Sequence, residues 1–411
     1  MSSSGRLPNS SALMAVLALG VWCAFVAARL FRLAEGDIGY FVVAGTEFTD
    51  ASSGLPLSDG PGYDGQFFHR LASDPLNSDD RVAGTVLDSS WRAARIGYPL
   101  LAWLVSGIGL STSVALVVVN LIAITVLGYL GGRSAQLAGR HAIWGLLLPM
   151  YFGFAFSIAR NLAEVVATTA LVAGVMLATQ HRAVPAALCL SLAVLSRETV
   201  VAVVCVVGLL ELTDLIRRRR PLGIQDSIWL MPLVVFGMWH LFVAARWNRG
   251  LLDIGGGTGS LRVPGVALIE QLPEVFSRNY LGEATLNVIH AMEVVVLLAV
   301  VGAAAIAMVR SNNARIVKSA FCGLLLLLLS ADVPVGVWTD RNDLRMFAGV
   351  YAVAVIVLLQ SKMRLHVFAA SVGSAHWRQH RRSSLVPEQP VAVQCACCRP
   401  RQRRRQFAAA E

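Results

Sequence analysis

The stretch TSVALVVVNLIAITVLGYLGG, residues 112–132, contains no charged side chain and is rich in valine, leucine and isoleucine. An α-helix of about twenty such residues crosses the roughly 30 Å hydrocarbon core of a bilayer. The whole chain has the same character, because 56% of its residues are hydrophobic, 15% are charged and the mean hydropathy is +0.62. Soluble domains carry about a quarter charged residues. The sequence therefore predicts an all-α, polytopic membrane protein.

Ten apolar runs are predicted to cross the membrane, at residues 11–31, 112–132, 141–158, 162–180, 183–195, 199–216, 228–247, 285–309, 316–333 and 345–361. An eleventh run, IGYPLLAWLVSGIG (96–109), is short for a span, and we predict that it forms a juxtamembrane helix. If 96–109 also crossed, the 32–95 loop would become cytoplasmic or another span would be lost. That alternative stays open.

Ten spans satisfy the positive-inside rule, because all the arginine-rich segments then face the cytoplasm. These segments are GGRSAQLAGRH (131–141), IRRRRP (216–221), RSNNARIVK (310–318) and the tail beyond residue 361. The net charge of +10 comes largely from such segments, which indicates contact with anionic lipid and argues against nucleic-acid binding. The predicted organisation is a transmembrane domain at 1–361, outer loops at 32–111 and 248–284, and a disordered basic tail at 362–411.

The same topology gathers polar segments on the extracytoplasmic face. They are the 32–111 loop, ARNLAE (159–164), SRET (196–199), the 248–284 loop and ADVPVGVWTDRNDLR (331–345). Charged residues at the ends of short loops between spans are costly to bury and tend to mark pathways or sites. We therefore expect a site on this face, with solvated loop ends as the alternative for any single segment. Arg160 and Glu164 are predicted to form a local ion pair at i, i+4.

The segment GYDGQFFHRLASDP (62–75) predicts a short amphipathic helix in the first outer loop. In helical register Asp64, Phe67, Phe68 and Leu71 share one face, and Pro75 ends the turn. A carboxylate on an apolar face predicts that Asp64 faces a protein cavity, where partial burial would raise its pKa towards the range of a general base. The alternative is that Asp64 caps the N-terminus of the helix.

Two flanking segments supply further polar groups to the same loop. EGDIGYFVVAG (35–45) places Asp37 close to the end of the first span, and LDSSWRAARIGYPLL (87–101) contributes Asp88, Arg92, Arg95 and Tyr98. A carboxylate can take the proton of an acceptor hydroxyl, a guanidinium can steady a phosphate leaving group, and aromatic faces can stack on a sugar ring. These side chains together suit a lipid-phosphate sugar as the ligand.

Three motifs resemble one group of membrane enzymes. YDGQFFHRLA (63–72) resembles the aromatic-Asp-x-x-aromatic-Tyr/His motif of glycolipid mannosyltransferases, and with RIGYPLL (95–101) it is similar to uncharacterised bacterial membrane proteins with a GYDGQFYYRLALDP…RIxYPLL pattern. LSRET (195–199) resembles the L-x-R-E found at an outer span end, and DRNDLR (340–345) resembles the segment with a late arginine near the lipid phosphate. By these motifs and its architecture over about 10–361, the chain resembles the GT-C superfamily of polyprenyl-phosphate-sugar-dependent glycosyltransferases.

The resemblance implies an inverting transfer of a sugar from a polyprenyl-phosphate donor to a lipid or cell-envelope glycan acceptor, on the extracytoplasmic face of the plasma membrane. In the superfamily the essential acid lies close after the first span, which corresponds here to Asp37. Asp64 lies further along the loop, so both remain candidates for the base. The predicted substrate-binding residues are Tyr63, Phe67, His69, Arg70, Arg95, Tyr98, Arg197, Glu198 and Arg345. Outer-loop carboxylates could also hold a divalent metal, although no ligand spacing argues for one.

A membrane transporter or lipid flippase is the alternative class, and a structural or assembly protein without chemistry is a third. Transporters tend to show internal repeats and polar interruptions near the membrane midplane. This sequence shows no repeat, and its polar residues gather at span ends. These features favour the glycosyltransferase.

Overall fold

The computed structural model of the protein describes residues 9–219, 221–247, 262–276, 284–310, 314–331, 338–339 and 343–361. The chain divides into two compact units, Met1–Met363 and Arg364–Glu411, and all the described residues lie in the first. The tail that was predicted to be disordered, 362–411, lies outside the described residues, as does much of the predicted outer loop 248–284.

The described chain is mostly helical. Its helices are α1 (Ser11–Arg32), α2 (Gly65–Ser73), α3 (Gly97–Ser106), α4 (Thr112–Leu137), α5 (Gly153–Ala159), α6 (Glu164–Thr179), α7 (Ala183–Ser196), α8 (Val201–Arg218), α9 (Ser227–Arg246), α10 (Val266–Val275), α11 (Ala284–Arg310), α12 (Arg315–Ser330) and α13 (Ala348–Gln360).

Within the described ranges, six helical segments are long and apolar enough to cross a membrane: Ser11–Arg32, Thr112–Leu137, Glu198–Arg217, Ile224–Arg246, Thr285–Val309 and Asp343–Gln360. Three further apolar helices, α3, α6 and α7, are shorter. The prediction of a helical, membrane-embedded protein is confirmed. The count of ten spans stays a prediction.

The predicted span 141–158 is not one continuous helix. A 3₁₀-helix runs from Ala142 to Leu147, and α5 begins only at Gly153. Pro149 lies in the break, where its missing N–H and its ring prevent an α-helix from continuing. Trp22 of α1 donates a hydrogen bond from Nε1 to the Pro149 carbonyl at 3.0 Å. This predicted span therefore consists of two short helical pieces.

The run 96–109 forms a short helix separate from α4, as predicted. Tyr98 and Ala102 of α3 are fully buried, whereas Trp103 and Leu104 are exposed. The Tyr98 hydroxyl donates to the Leu116 carbonyl of α4 at 2.9 Å and so fastens α3 to α4. Since α3 has only ten residues, a juxtamembrane position remains our prediction for it.

The first loop also contains short strands, which the all-α prediction omitted. Strand β1 (Ala44–Gly45) pairs in parallel with β2 (Leu57–Ser58), and β3 (Arg81–Val82) pairs antiparallel with β4 (Thr85–Val86). Two-residue strands leave no alternation of polar and apolar residues that could be recognised in the sequence.

Buried polar side chains of α2 tie these strands to the helix. Gln66 is fully buried, and its Oε1 accepts hydrogen bonds from the Gly45 N–H at 3.1 Å and from Thr49 Oγ1 at 2.8 Å. Arg70 is 1% exposed and donates to the main-chain carbonyls of Thr85 and Asp79. These bonds fix α2 in the loop and thereby fix the position of Asp64 at its start.

Candidate functional site

Four of the five polar segments that were expected on one face meet in a single network of ion pairs. We call this network the Asp64 cluster; it contains Asp64, Asp88, Arg92, Arg95, Glu164, Arg197, Glu198, Asp343 and Arg345. Its members come from the first loop, the start of α6, the junction of α7 and α8, and the segment before α13. Most of the remaining segment, 248–284, lies outside the described residues.

Asp64 occupies the N-cap position of α2, but its carboxylate makes no capping hydrogen bond. Instead, Oδ1 accepts a hydrogen bond from Arg92 Nη1 at 2.6 Å. Oδ2 lies 3.7 Å from Arg345 Nη2 and 4.0 Å from Arg95 Nη1, beyond the usual hydrogen-bond distance. One carboxylate oxygen is therefore anchored, and the other lies between two guanidinium groups without a close partner.

The predicted rise in the pKa of Asp64 is wrong. Burial does raise the pKa of this carboxyl, but the positive charges of Arg92, Arg345, Arg95 and Arg197 oppose it and hold the pKa below its usual range. The sequence indicated the burial correctly and could not show that several guanidinium groups surround the carboxylate. Asp64 is therefore ionised at neutral pH and can accept a proton without first losing one.

The two arginines of the first loop are held in place by acids and aromatic rings. Asp88 accepts two hydrogen bonds from Arg92, both at 2.9 Å, and Glu198 accepts two from Arg95, at 2.8 and 2.5 Å. Both guanidinium groups also lie over the Trp91 ring, at 4.1 and 4.2 Å from its centroid. Such two-point contacts set the direction of each arginine before any ligand binds.

At the buried end of the cluster, Glu164 joins two arginines from distant parts of the chain. Its Oε1 lies 3.1 Å from Arg345 Nε and 3.4 Å from Arg197 Nη2. Glu164 was predicted to pair locally with Arg160, and that prediction is wrong. Asn161 has a positive φ of 51° and breaks the helix between them, so Arg160 and Glu164 do not share a helical face.

Tyr63 places an aromatic ring beside Asp64. The Arg160 guanidinium lies 4.8 Å from the centroid of this ring, and that of Arg345 lies 5.3 Å from it. Burial raises the pKa of Tyr63 to about 12, so its hydroxyl remains protonated and can donate a hydrogen bond. The ring thus combines an apolar face with a donor at the edge of the cluster.

The structure separates the two candidate bases. Asp37 lies on an exposed turn after α1, where its Oδ1 accepts a hydrogen bond from the Gly39 N–H at 2.7 Å. None of the ion pairs of the Asp64 cluster includes Asp37. Asp37 is thus placed as a local cap, and Asp64 as the centre of a network of charges.

The other predicted binding residues fall into two groups. Arg95, Arg197, Glu198 and Arg345 belong to the Asp64 cluster, and Phe67 touches it because the Arg92 guanidinium lies 4.6 Å from its ring centroid. Arg70 and Tyr98 instead bond to main-chain carbonyls. His69 is buried in α2, and burial lowers its pKa to about 4, so its ring is neutral at pH 7.

Several cluster residues were absent from the predicted binding set, namely Asp88, Arg92, Glu164 and Asp343. Asp88 and Arg92 carried a usable signal, since an acid and an arginine four residues apart often pair. Glu164 gave none, because its contact with Arg345 depends on how the helices pack. Asp343 gave none either, because residues two apart on a helix do not normally face each other, although here Asp343 and Arg345 pair.

Glu164, Arg197 and Arg345 also line a narrow cavity between α6, α12 and the start of α13. Its apolar wall includes Leu171 and Leu324. Within the described ranges, no group of three or more His, Cys, Asp and Glu side chains is arranged to hold a metal ion.

The sequence matches no known family model, and comparisons with curated proteins and with solved structures find no match. The function is therefore inferred from the chemistry of the Asp64 cluster.

Proposed function

We propose that the protein is an integral membrane glycosyltransferase. It transfers a sugar from a polyprenyl-phosphate donor to a hydroxyl of a lipid or cell-envelope glycan acceptor, with inversion at the anomeric carbon. The observation that carries this proposal is the state of Asp64, an ionised carboxylate with one oxygen anchored by Arg92 and the other flanked by two guanidinium groups.

In the proposed reaction, the acceptor hydroxyl oxygen forms a bond to the anomeric carbon while its proton passes to Asp64 Oδ2. The bond between the anomeric carbon and the phosphate oxygen breaks, and its electron pair leaves with the polyprenyl phosphate. Attack from the side opposite the phosphate inverts the configuration. The proton then leaves Asp64 for water, which restores the carboxylate. General-base catalysis of this kind contributes about 10²–10⁴-fold to a rate.

Arg95 and Arg345 supply the charge that the leaving group requires. Both flank Oδ2, and in the proposed reaction the donor phosphate approaches the same two guanidinium groups while the anomeric carbon lies between the phosphate and the acceptor hydroxyl. Arginine presents a planar array of N–H donors that matches phosphate oxygens, and its charge persists at any physiological pH. Charged donors that are already oriented towards the developing negative charge stabilise the transition state.

The proposal places the Asp64 cluster on the extracytoplasmic face of the plasma membrane, in a domain of ten spans. The support is the distribution of arginine, because this orientation puts the segments 131–141, 216–221 and 310–318 in the cytoplasm.

The test compares membrane glycolipids and envelope glycans by mass spectrometry from wild-type cells, a deletion strain and a strain with Asp64→Asn. We expect the deletion and the variant to lack the same single sugar unit. Purified wild-type protein in nanodiscs should also release polyprenyl phosphate from a polyprenyl-phosphate sugar when acceptor lipid is added. An unchanged glycan profile in the deletion strain would contradict the proposal.

A translocator of lipid-phosphate sugars is the second candidate. It is favoured by the three buried charges of Glu164, Arg197 and Arg345 among the helices and by the break at Asn161, because transporters place charged groups at interrupted helices. A translocator would move the lipid-linked sugar across a vesicle membrane and would leave the bond between sugar and phosphate intact.

A further inference from the structure

Glu164 has a position that the proposed reaction does not explain. It is 4% exposed, and besides its two arginines it accepts a hydrogen bond on Oε2 from Ser157 Oγ at 3.2 Å. A buried carboxylate requires close partners to offset its loss of hydration. Glu164 has these partners on both oxygens, and Arg345 lies between it and Asp64, at 3.1 Å from Glu164 and 3.7 Å from Asp64.

Arg345 is shared unequally among three carboxylates. It donates to Glu164 at 3.1 Å through Nε and to Asp343 at 2.9 Å through Nη1. Its third nitrogen, Nη2, is 3.7 Å from Asp64 Oδ2, which is too long for a hydrogen bond. The two acids that lie away from Asp64 therefore hold the arginine where it stabilises Asp64 electrostatically without occupying Oδ2.

We infer that Glu164 is a positioning residue, which holds Arg345 and Arg197 back from Asp64 and so keeps Oδ2 open for the acceptor hydroxyl. This inference rests on the proposed function. Glu164 acts through the arginines and does not touch the substrate. Its removal would let the Arg345 guanidinium close on Oδ2, because one of the three carboxylates that lie near Arg345 in the described chain would lose its charge.

The test is the pH dependence of kcat for Glu164→Gln, measured with a polyprenyl-phosphate sugar and a lipid acceptor in nanodiscs. Glutamine keeps the size of the side chain and can still accept from Ser157, but it lacks the charge that attracts the arginines. We expect kcat to fall about tenfold, because a small misplacement of a reacting group has effects of this size. The KM for the donor should change by less than about threefold, since Arg95 keeps its place beside the donor phosphate and Arg345 stays within the cluster.

The second readout is the acidic limb of the kcat profile, which reports the protonation of Asp64. A guanidinium that moves closer stabilises the carboxylate, so the limb should shift to lower pH by about one unit in Glu164→Gln. A role limited to folding would reduce the amount of protein and leave the limb of the remaining enzyme in place. An unshifted limb in active Glu164→Gln would therefore overturn the inference.

Asp226→Asn is the matched control, because Asp226 is 1% exposed and lies at the start of α9, outside the cluster. Loss of the Asp226 charge should leave the acidic limb unchanged.

If Glu164→Gln does not accumulate in the membrane, Glu164→Asp replaces it. Its shorter side chain should shift the limb in the same direction by a smaller amount, and an unshifted limb would again overturn the inference. If the wild-type protein releases no polyprenyl phosphate, the proposed function itself is refuted. If the wild type is active but the acidic limb does not shift in the variant, only the inference about Glu164 fails.

Discussion

Asp37 and Asp64 occupy equivalent positions in the first loop, at the starts of a 3₁₀-helix (Ile38–Phe41) and of α2, but their side chains make different contacts. Each is the N-cap residue of its helix. Asp37 has an extended backbone, with φ −94° and ψ 115°, and its side chain accepts the capping hydrogen bond. Asp64 has a helical backbone, with φ −55° and ψ −25°, and its side chain makes no such bond.

The backbone explains the difference. A capping side chain reaches the free N–H groups of the first turn from an extended conformation. At Asp64 the helical conformation directs the carboxylate away from those groups. The carboxylate instead forms ion pairs with Arg92 and Arg345. Of the two carboxylates, the one that does not cap its helix is the one that joins the network of ion pairs. Substitutions in and around the Asp64 cluster and the Asp37 turn test this contrast.

Apart from changes to the Asp64 carboxylate itself, the largest effect should come from moving α2 through its backbone. A Cβ on Gly65 would overlap the main-chain oxygens of Arg160 and Val42, neither of which can rotate away. Gly65→Ala should displace Asp64 and lower the transfer rate by about 10²-fold, the effect of about 1 Å of misplacement at a reacting group. Gly20→Ala, where the added carbon meets open space, should leave the rate within about twofold. Equal initial rates for the two variants would show that α2 does not position the reaction.

A pH effect on stability should arise from the buried helix α2. Burial lowers the pKa of His69 to about 4, against about 6.5 in the unfolded chain, so the unfolded state binds more protons between these values. Stability should therefore fall as the pH drops through 6.5, by about 2 kcal/mol between pH 7 and pH 5. His69→Gln should reduce this decrease in thermal melts, whereas His181→Gln, at an exposed turn, should not. If His69→Gln lost as much stability between pH 7 and pH 5 as the wild type, the pH effect could not be attributed to His69.

The smallest effect should come from the Asp37 turn. Asp37→Ala removes the hydrogen bond to the Gly39 N–H and should cost about 1 kcal/mol, the usual value for a lost N-cap. Asparagine caps about as well as aspartate, so Asp37→Asn should melt within a few tenths of a kcal/mol of wild type. Both variants should transfer sugar within about threefold of the wild-type rate. A loss beyond tenfold in Asp37→Asn would assign chemistry to this turn.

Much of the helical framework could be predicted from the sequence. The run 11–31 became Ser11–Arg32, and 228–247 became Ser227–Arg246, because continuous apolar residues determine where such helices lie. Pro149 by itself predicts a break in the run 141–158, since proline removes a backbone hydrogen-bond donor. The strand pairs of the loop were beyond prediction, because each contains only two residues per strand.

The site could be predicted by segment but not by contact. The positive-inside rule placed the loop, the 159–164 turn and the SRET segment on one face, and the Asp64 cluster joins them. The pairing of Glu164 with Arg345 joins residues far apart in the sequence and leaves no local pattern. Burial raises the pKa of Asp64 and the neighbouring arginines lower it. Which effect is larger depends on the distances between these groups, and the sequence does not contain those distances.

The most direct test measures Asp64→Asn and Asp37→Asn in one assay of transfer from a polyprenyl-phosphate sugar, with equal amounts of folded protein in nanodiscs. Both changes are isosteric, and both remove one negative charge from the same loop. We predict that Asp64→Asn lowers kcat by about 10²–10⁴-fold, and that Asp37→Asn remains within about threefold of wild type. Full activity in Asp64→Asn together with a loss in Asp37→Asn would contradict the account.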